Sequence, residues 1–108
     1  MTDLLVTFVT TPDEALASRI AAAAVDARLA ACAQVYGPVR STFRWEGAVE
    51  QATEWGCQLK TTRAAFPGLA ALIRELHPYD VPEIIAIPIV AGHPHYLAWI
   101  TAATSGPT

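Results

Sequence analysis

Seven consecutive residues gather much of this chain's chemical potential: His77, Pro78, Tyr79, Asp80, Val81, Pro82 and Glu83. They set a metal-competent imidazole, a phenol and two carboxylates among prolines, which restrict the backbone and hold the polar groups in place. The segment follows an apolar stripe of helical spacing and precedes an apolar run of strand character. It therefore reads as a rigid connector at the mouth of a packed core.

Transition metals want imidazole, thiolate or carboxylate ligands that converge. The chain offers His77, His93, His95, Cys32, Cys57, Asp80 and Glu83, none at diagnostic spacing. His93 and His95 flank Pro94 beside a helix start, where solvated capping is the simpler role. His77 ends a helix, where the dipole favours it. Catalysis finds little support: Ser18, Ser41 and Ser105 lie in no nucleophile elbow, and no phosphate-cradling loop is present. A Cys32–His77 pair is conceivable, but the surrounding alanines place Cys32 in packed core, where a thiol stays protonated. The expectation is that the protein is not an enzyme. Glu54 and Lys60 share one face of a strand whose other face carries Trp55, Cys57 and Leu59. If that strand meets a neighbouring subunit, Glu54 and Lys60 would line a cleft with Trp45, Tyr79 and Glu83, fit for a small anion or polar ligand.

The elements that position these groups fit one domain over residues 1–108. A net charge of -3 argues against nucleic acid and against an anionic membrane surface. The start shows no signal-peptide pattern, so a cytoplasmic location is expected. Two cysteines without CxxC spacing read as free and buried. The apolar run after Glu83 soon meets Pro88 and Gly92, far short of the roughly 20 residues a membrane span needs. Because residues 84–108 carry no Asp, Glu, Lys or Arg, this uncharged quarter is expected to lie against other subunits.

Residues 4–9 read as a strand, followed by a helix capped by Thr11, with Pro12 at its first position and Glu14 closing a capping box. Leu16, Ile20, Ala23 and Ala27 give that helix its apolar face. Residues 32–45 read as a strand kinked at Gly37-Pro38. Glu46-Gly47 then turns the chain into a partner strand over residues 48–62. Arms of about 40 Å exceed a small globule's diameter of about 34 Å, so the hairpin must project with Phe43, Trp45 and Trp55 needing cover. Leu69, Leu72, Ile73 and Leu76 mark a second helix from Phe66-Pro67 to His77. Residues 84–90 read as a fourth strand, with Pro88 at an edge or past the paired region. Tyr96, Trp99, Ile100 and Ala103 mark a short C-terminal helix, and residues 105–108 are expected to fray. The order predicts an α+β, ferredoxin-like βαββαβ fold with a long central hairpin.

Taken together, Thr10-Thr11-Pro12-Asp13, Leu29-Ala30-Ala31-Cys32, Trp45-Glu46-Gly47 with Glu50 and Glu54, Lys60-Thr61, His77-Pro78-Tyr79 with Pro82-Glu83, and Tyr96-Leu97 with Trp99 resemble the CutA divalent-cation-tolerance proteins. The resemblance spans residues 4–100 in order and spacing. It implies a homotrimer of PII-like architecture whose long hairpins pair across subunits. It also implies binding of copper, Cu(II), or another divalent cation, with His77 as the ligand that carries over most directly and Glu83 as a weaker one. The chain has Val9 and Leu76 where some relatives place a further cysteine and histidine. The alternative implied by the PII likeness is a small-molecule or protein-interaction scaffold using the cleft of Trp45, Glu54, Lys60, Tyr79 and Glu83.

Overall fold

The computed structural model describes residues 3–105. Strand β1 (Leu4–Thr11) leads to helix α1 (Glu14–Asp26), then to the hairpin β2 (Cys32–Trp45) and β3 (Ala48–Thr62). Helix α2 (Phe66–Leu76), strand β4 (Ile84–Pro88) and helix α3 (Pro94–Thr104) complete the chain. The strands form one antiparallel sheet in the order β2-β3-β1-β4, the α+β ferredoxin-like arrangement expected. β4 lies at an edge, as Pro88 requires, and is two residues shorter than the periodicity suggested. The fraying expected of residues 105–108 falls, beyond Ser105, outside the described residues.

The helix α1 start departs from expectation. Thr11 still belongs to the ladder opposite Trp55, and its hydroxyl donates to the Asp13 and Trp55 carbonyls at 2.7 and 3.1 Å. Asp13 is the cap instead: its backbone is extended, and its Oδ1 accepts from the Leu16 amide at 2.8 Å. Glu14 is thus the first helical residue rather than the closing member of a capping box. Moving the start by two residues also turns the buried stripe to Ala17, Ile20 and Ala24, leaving Ala27 exposed.

Register sorts the sheet into two faces, because residues directly opposite one another point the same way. Val9, Cys57 and Leu59 face α1 and α2, where Ala17, Ile20, Leu69 and Ile73 close the core. Burial there pushes the Cys57 thiol up to about 11, so it is an inert core group. Cys32 is half-buried rather than packed in the core, and both thiols are free. Its Sγ lies 3.4 Å from the Tyr96 hydroxyl on α3, so α3 crosses the sheet's other face, packing on β3 and β1 with Ile100 fully buried.

Beyond α3 that second face stays open. Phe8 pairs with Ile85 and Val6 with Ile87, and both isoleucines are at least half exposed. A bulge between Tyr36 and Val39 carries Val39, Ser41, Phe43 and Trp45 onto the same face, with Arg40, Thr42 and Arg44 on the other. Glu46 and Gly47 both have positive φ, 50° and 84°, the requirement of a two-residue hairpin turn matched to strand twist. The hairpin projects as expected: the molecule measures 46 × 26 × 21 Å, and every residue from 42 to 51 is exposed, but Trp55 points to the helix side and packs against the core of its own chain.

Candidate functional site

Where β1 ends, the connector after α2 folds back over the middle of the hairpin. His77 caps α2, its own amide donating to the Ile73 carbonyl at 2.9 Å. The imidazole is buried, at 7% exposure, and both ring nitrogens are engaged by backbone. Nδ1 accepts from the Tyr79 amide at 3.2 Å, which places the ring proton on Nε2, donating to the Thr10 carbonyl at 2.7 Å. His77 therefore clamps the connector to the end of β1, and the edge of its ring packs against Tyr79, centroids 4.6 Å apart.

Tyr79, set by that clamp, donates its phenol proton to Glu54 Oε2 at 3.0 Å. Glu54 is a strand carboxylate only 7% exposed, although charges on an open strand face are ordinarily solvated. Burial first, then the Glu54 hydrogen bond and the charges of Glu54 and Asp13, raise the Tyr79 phenol to about 12. Two residues along the same face, Gly56 lies under the Tyr36 ring: a Cβ on Gly56 would stand 2.2 Å from Tyr36 Cζ. Tyr36 and Gly56 are cross-strand partners, so the missing side chain makes room for the ring. Tyr36 is raised above the usual phenol value by burial and then by the charge of Glu83, an exposed carboxylate next to the start of β4. Glu54, held by Tyr79, thus shares one sheet face with the Tyr36 ring packed over Gly56.

Of the residues singled out from sequence, the structure thus brings together Glu54, Tyr79 and the supporting His77, with Glu83 exposed next to the start of β4. Trp45 and Lys60 stand apart within one protomer. Trp45 pairs with Ala48 at the hairpin tip, and six residues of strand, about 20 Å, separate Ala48 from Glu54. Lys60 lies six residues the other way, bonded to Gln34, whose Oε1 also accepts from Gln58 at 2.8 Å. Sequence reasoning missed Tyr36 and Asp13. A strand glycine placed opposite an aromatic residue was the available signal for the first.

A metal does not fit these groups as they stand. Ligation by His77 would break one of its two backbone bonds, and no three His, Cys, Asp or Glu side chains converge among the described residues. His93 caps α3, its Nδ1 accepting from the His95 amide at 3.1 Å. Neither His77 nitrogen is bonded to a hydroxyl or thiol that it could activate. No helix among the described residues is long and apolar enough to cross a membrane.

A ferredoxin-like sheet with an overlong hairpin and a buried glutamate bonded to the tyrosine of a His-Pro-Tyr connector defines a class, and comparison with known proteins gives it a family. The chain belongs to the family of the CutA1 divalent ion tolerance protein, which it matches over residues 5–103. It is 43% identical over 99 residues to the divalent-cation tolerance protein CutA of Thermus thermophilus, covering 92% of this chain and 96% of that protein. It is 40% identical over 97 residues to the mouse protein CutA, covering 90% of this chain but only 55% of that longer protein. Among solved structures, CutA from Xylella fastidiosa superposes with a TM-score of 0.93 at 35% identity, covering 96% of this chain and 100% of that one. CutA1 from a psychrotrophic Shewanella gives 0.91 at 40% identity, covering 94% and 95%. The family is described by tolerance of divalent ions, not by a reaction.

Proposed function

We propose that this chain serves divalent-cation tolerance as a cytoplasmic homotrimer, a PII-like binding scaffold whose ligand cleft lies over Glu54. The observation that carries this reading is the nearly enclosed Glu54 carboxylate, bonded to Tyr79 at 3.0 Å on a sheet face that is largely open. Ile85, Ile87, Phe43, Trp45 and Trp99 are each exposed by more than a third, too much apolar surface for a small domain to leave in water. A second copy seated there covers those side chains and closes the cleft. It also supplies Trp45 and Lys60 to a Glu54 that its own chain's Trp45 and Lys60 cannot reach. Free thiols at Cys32 and Cys57 suit a reducing compartment.

A second reading, Cu(II) or another divalent ion on His77 with Glu83, is favoured by the family's link to divalent ions. Calorimetric titration of the metal-stripped protein with Cu(II) and Zn(II), with oligomeric mass read in the same sample, separates the two. The scaffold reading expects a trimer without a stoichiometric Cu(II) site that depends on His77. Saturable binding of one ion per subunit, abolished by His77→Gln, would replace it with the second reading.

A further inference from the structure

His93, Pro94 and His95 open α3 and take no part in the site described above. Both imidazoles are exposed, and their ring centroids lie 5.4 Å apart with the planes at 64°. The sequence builds that approach in. Pro94 is the first helical residue, its φ fixed by its own ring, and the residue before a proline is confined to extended backbone, as His93 is at φ -64° and ψ 123°. Two rings are thus held close together on one short, stiff stretch of chain.

An ion bound roughly 2.1 Å from one nitrogen of each ring, at a square or tetrahedral angle, sets the ring centres about 5 Å apart. Little movement therefore brings both rings onto one ion. Of the four ring nitrogens one is committed: His93 Nδ1 accepts from the His95 amide at 3.1 Å, which leaves the His93 proton on Nε2. No Lys or Arg occurs in residues 84–108 to repel a cation. The positive end of the α3 dipole opposes one, and no carboxylate joins the pair to offset it. An ion that gains from two neutral imidazoles and accepts water elsewhere is a borderline transition metal, not a hard ion such as Mg(II).

We infer that His93 and His95 together bind one divalent transition-metal ion of the Zn(II) class, with water in its remaining positions. Ligation and capping are exclusive uses of His93. Binding through Nε2 moves the ring proton to Nδ1, and binding through Nδ1 takes its lone pair, so either way the His95 amide loses its acceptor. The ion thus exchanges the cap of α3 for a metal bridge at the helix start. This site shares no residue with His77 or with the Glu54 reading, and its test is independent of both.

That test is calorimetric titration of the full chain in its native oligomer with Zn(II), with Mg(II) as the hard-ion control. Zn(II) is expected to saturate at one ion per subunit, and Mg(II) not to bind. Binding is expected to weaken about tenfold or more in His95→Asn and in His93→Asn, because each leaves one ligand where two acted together. Asparagine at position 93 keeps a capping side chain, so the helix start survives that change. Cys32→Ser is expected to leave binding unaltered. In the unaltered protein, saturating Zn(II) is expected to quicken hydrogen exchange at the His95 amide. Zn(II) binding indifferent to both His93→Asn and His95→Asn, or lost instead with Cys32→Ser or His77→Gln, would overturn the inference. So would the absence of saturable binding, and so would a loss confined to one of the two variants, the mark of a lone surface imidazole. Binding that needs both rings while exchange at His95 stays constant would keep the metal pair and overturn the exchange of cap for ion.

Discussion

The Tyr79 hydroxyl lies 3.0 Å from Glu54 Oε2, joining two residues 25 apart in sequence, one on the connector after α2 and one on the middle of β3. Neither holds its place alone. The connector is fixed by His77, which is bonded to the end of β1, and Glu54 is fixed by the sheet that β1 and β3 share. The pair is therefore held by three elements together: β1, β3 and the connector.

Burial of the Tyr79 phenol, and then that hydrogen bond, makes stability depend on alkaline pH. The Tyr79 phenol is raised from the ordinary 10.0 to about 12, so the folded state holds a proton that the unfolded chain releases earlier. The contribution is complete below about pH 10 and is lost as pH rises through 12. Urea denaturation across this window is expected to show a fall in stability that is smaller in Tyr79→Phe, which has no phenol there to ionise. Near pH 7 the same variant is expected to lose about 1 kcal/mol, the worth of one partly exposed hydrogen bond to a carboxylate.

His77 is a clamp before it is anything else. Replacing it with alanine leaves the Thr10 carbonyl and the Tyr79 amide without their partner and opens a cavity beside Tyr79. A loss of about 2–4 kcal/mol is expected in chemical denaturation. An unchanged midpoint would show that the imidazole contributes little to the fold, leaving it free for ligation.

Gly56 tests the seat of the Tyr36 ring. Alanine there sets a Cβ 2.2 Å from Tyr36 Cζ, inside any tolerable contact, so the ring must swing away. A destabilisation of about 1–3 kcal/mol is expected, together with changed Tyr36 signals in the aromatic region of an NMR spectrum. Preserved signals and stability would refute the packing described.

Thr7 is the converse case. Its hydroxyl is fully enclosed on the helix-facing side, opposite Leu59 and Ala86, with no hydrogen-bond partner among the described residues. Thr7→Val keeps the shape and removes the unmet oxygen. The variant is expected to gain about 1 kcal/mol in thermal or urea unfolding.

Most of the fold was legible because its signals are local and strong. Glu46-Gly47 dictates the turn, and the alternation of Arg40, Thr42 and Arg44 against Val39, Phe43 and Trp45 survives the bulge intact. The misplaced cap of α1 shows where local signals compete. Thr11 and Asp13 are both good caps, and pairing with Trp55, a partner 44 residues distant, took Thr11 into the sheet. The site was legible in part for the same reason. Spacing put Glu54 on the right face, but its burial depends on Tyr79 arriving from another element, which no periodicity records. Likewise Tyr36 lies over β3 only because β3 presents a glycine at the matching register.

The central claim, that this chain is a subunit of a trimer whose open sheet faces are closed by neighbouring copies, is tested most directly by its mass in solution. Sedimentation equilibrium of the purified protein at micromolar concentration is expected to return three times the 11.5 kDa chain mass, with no dissociation on dilution. A species of 11.5 kDa, with Trp45 and Ile85 left in water, would contradict the account.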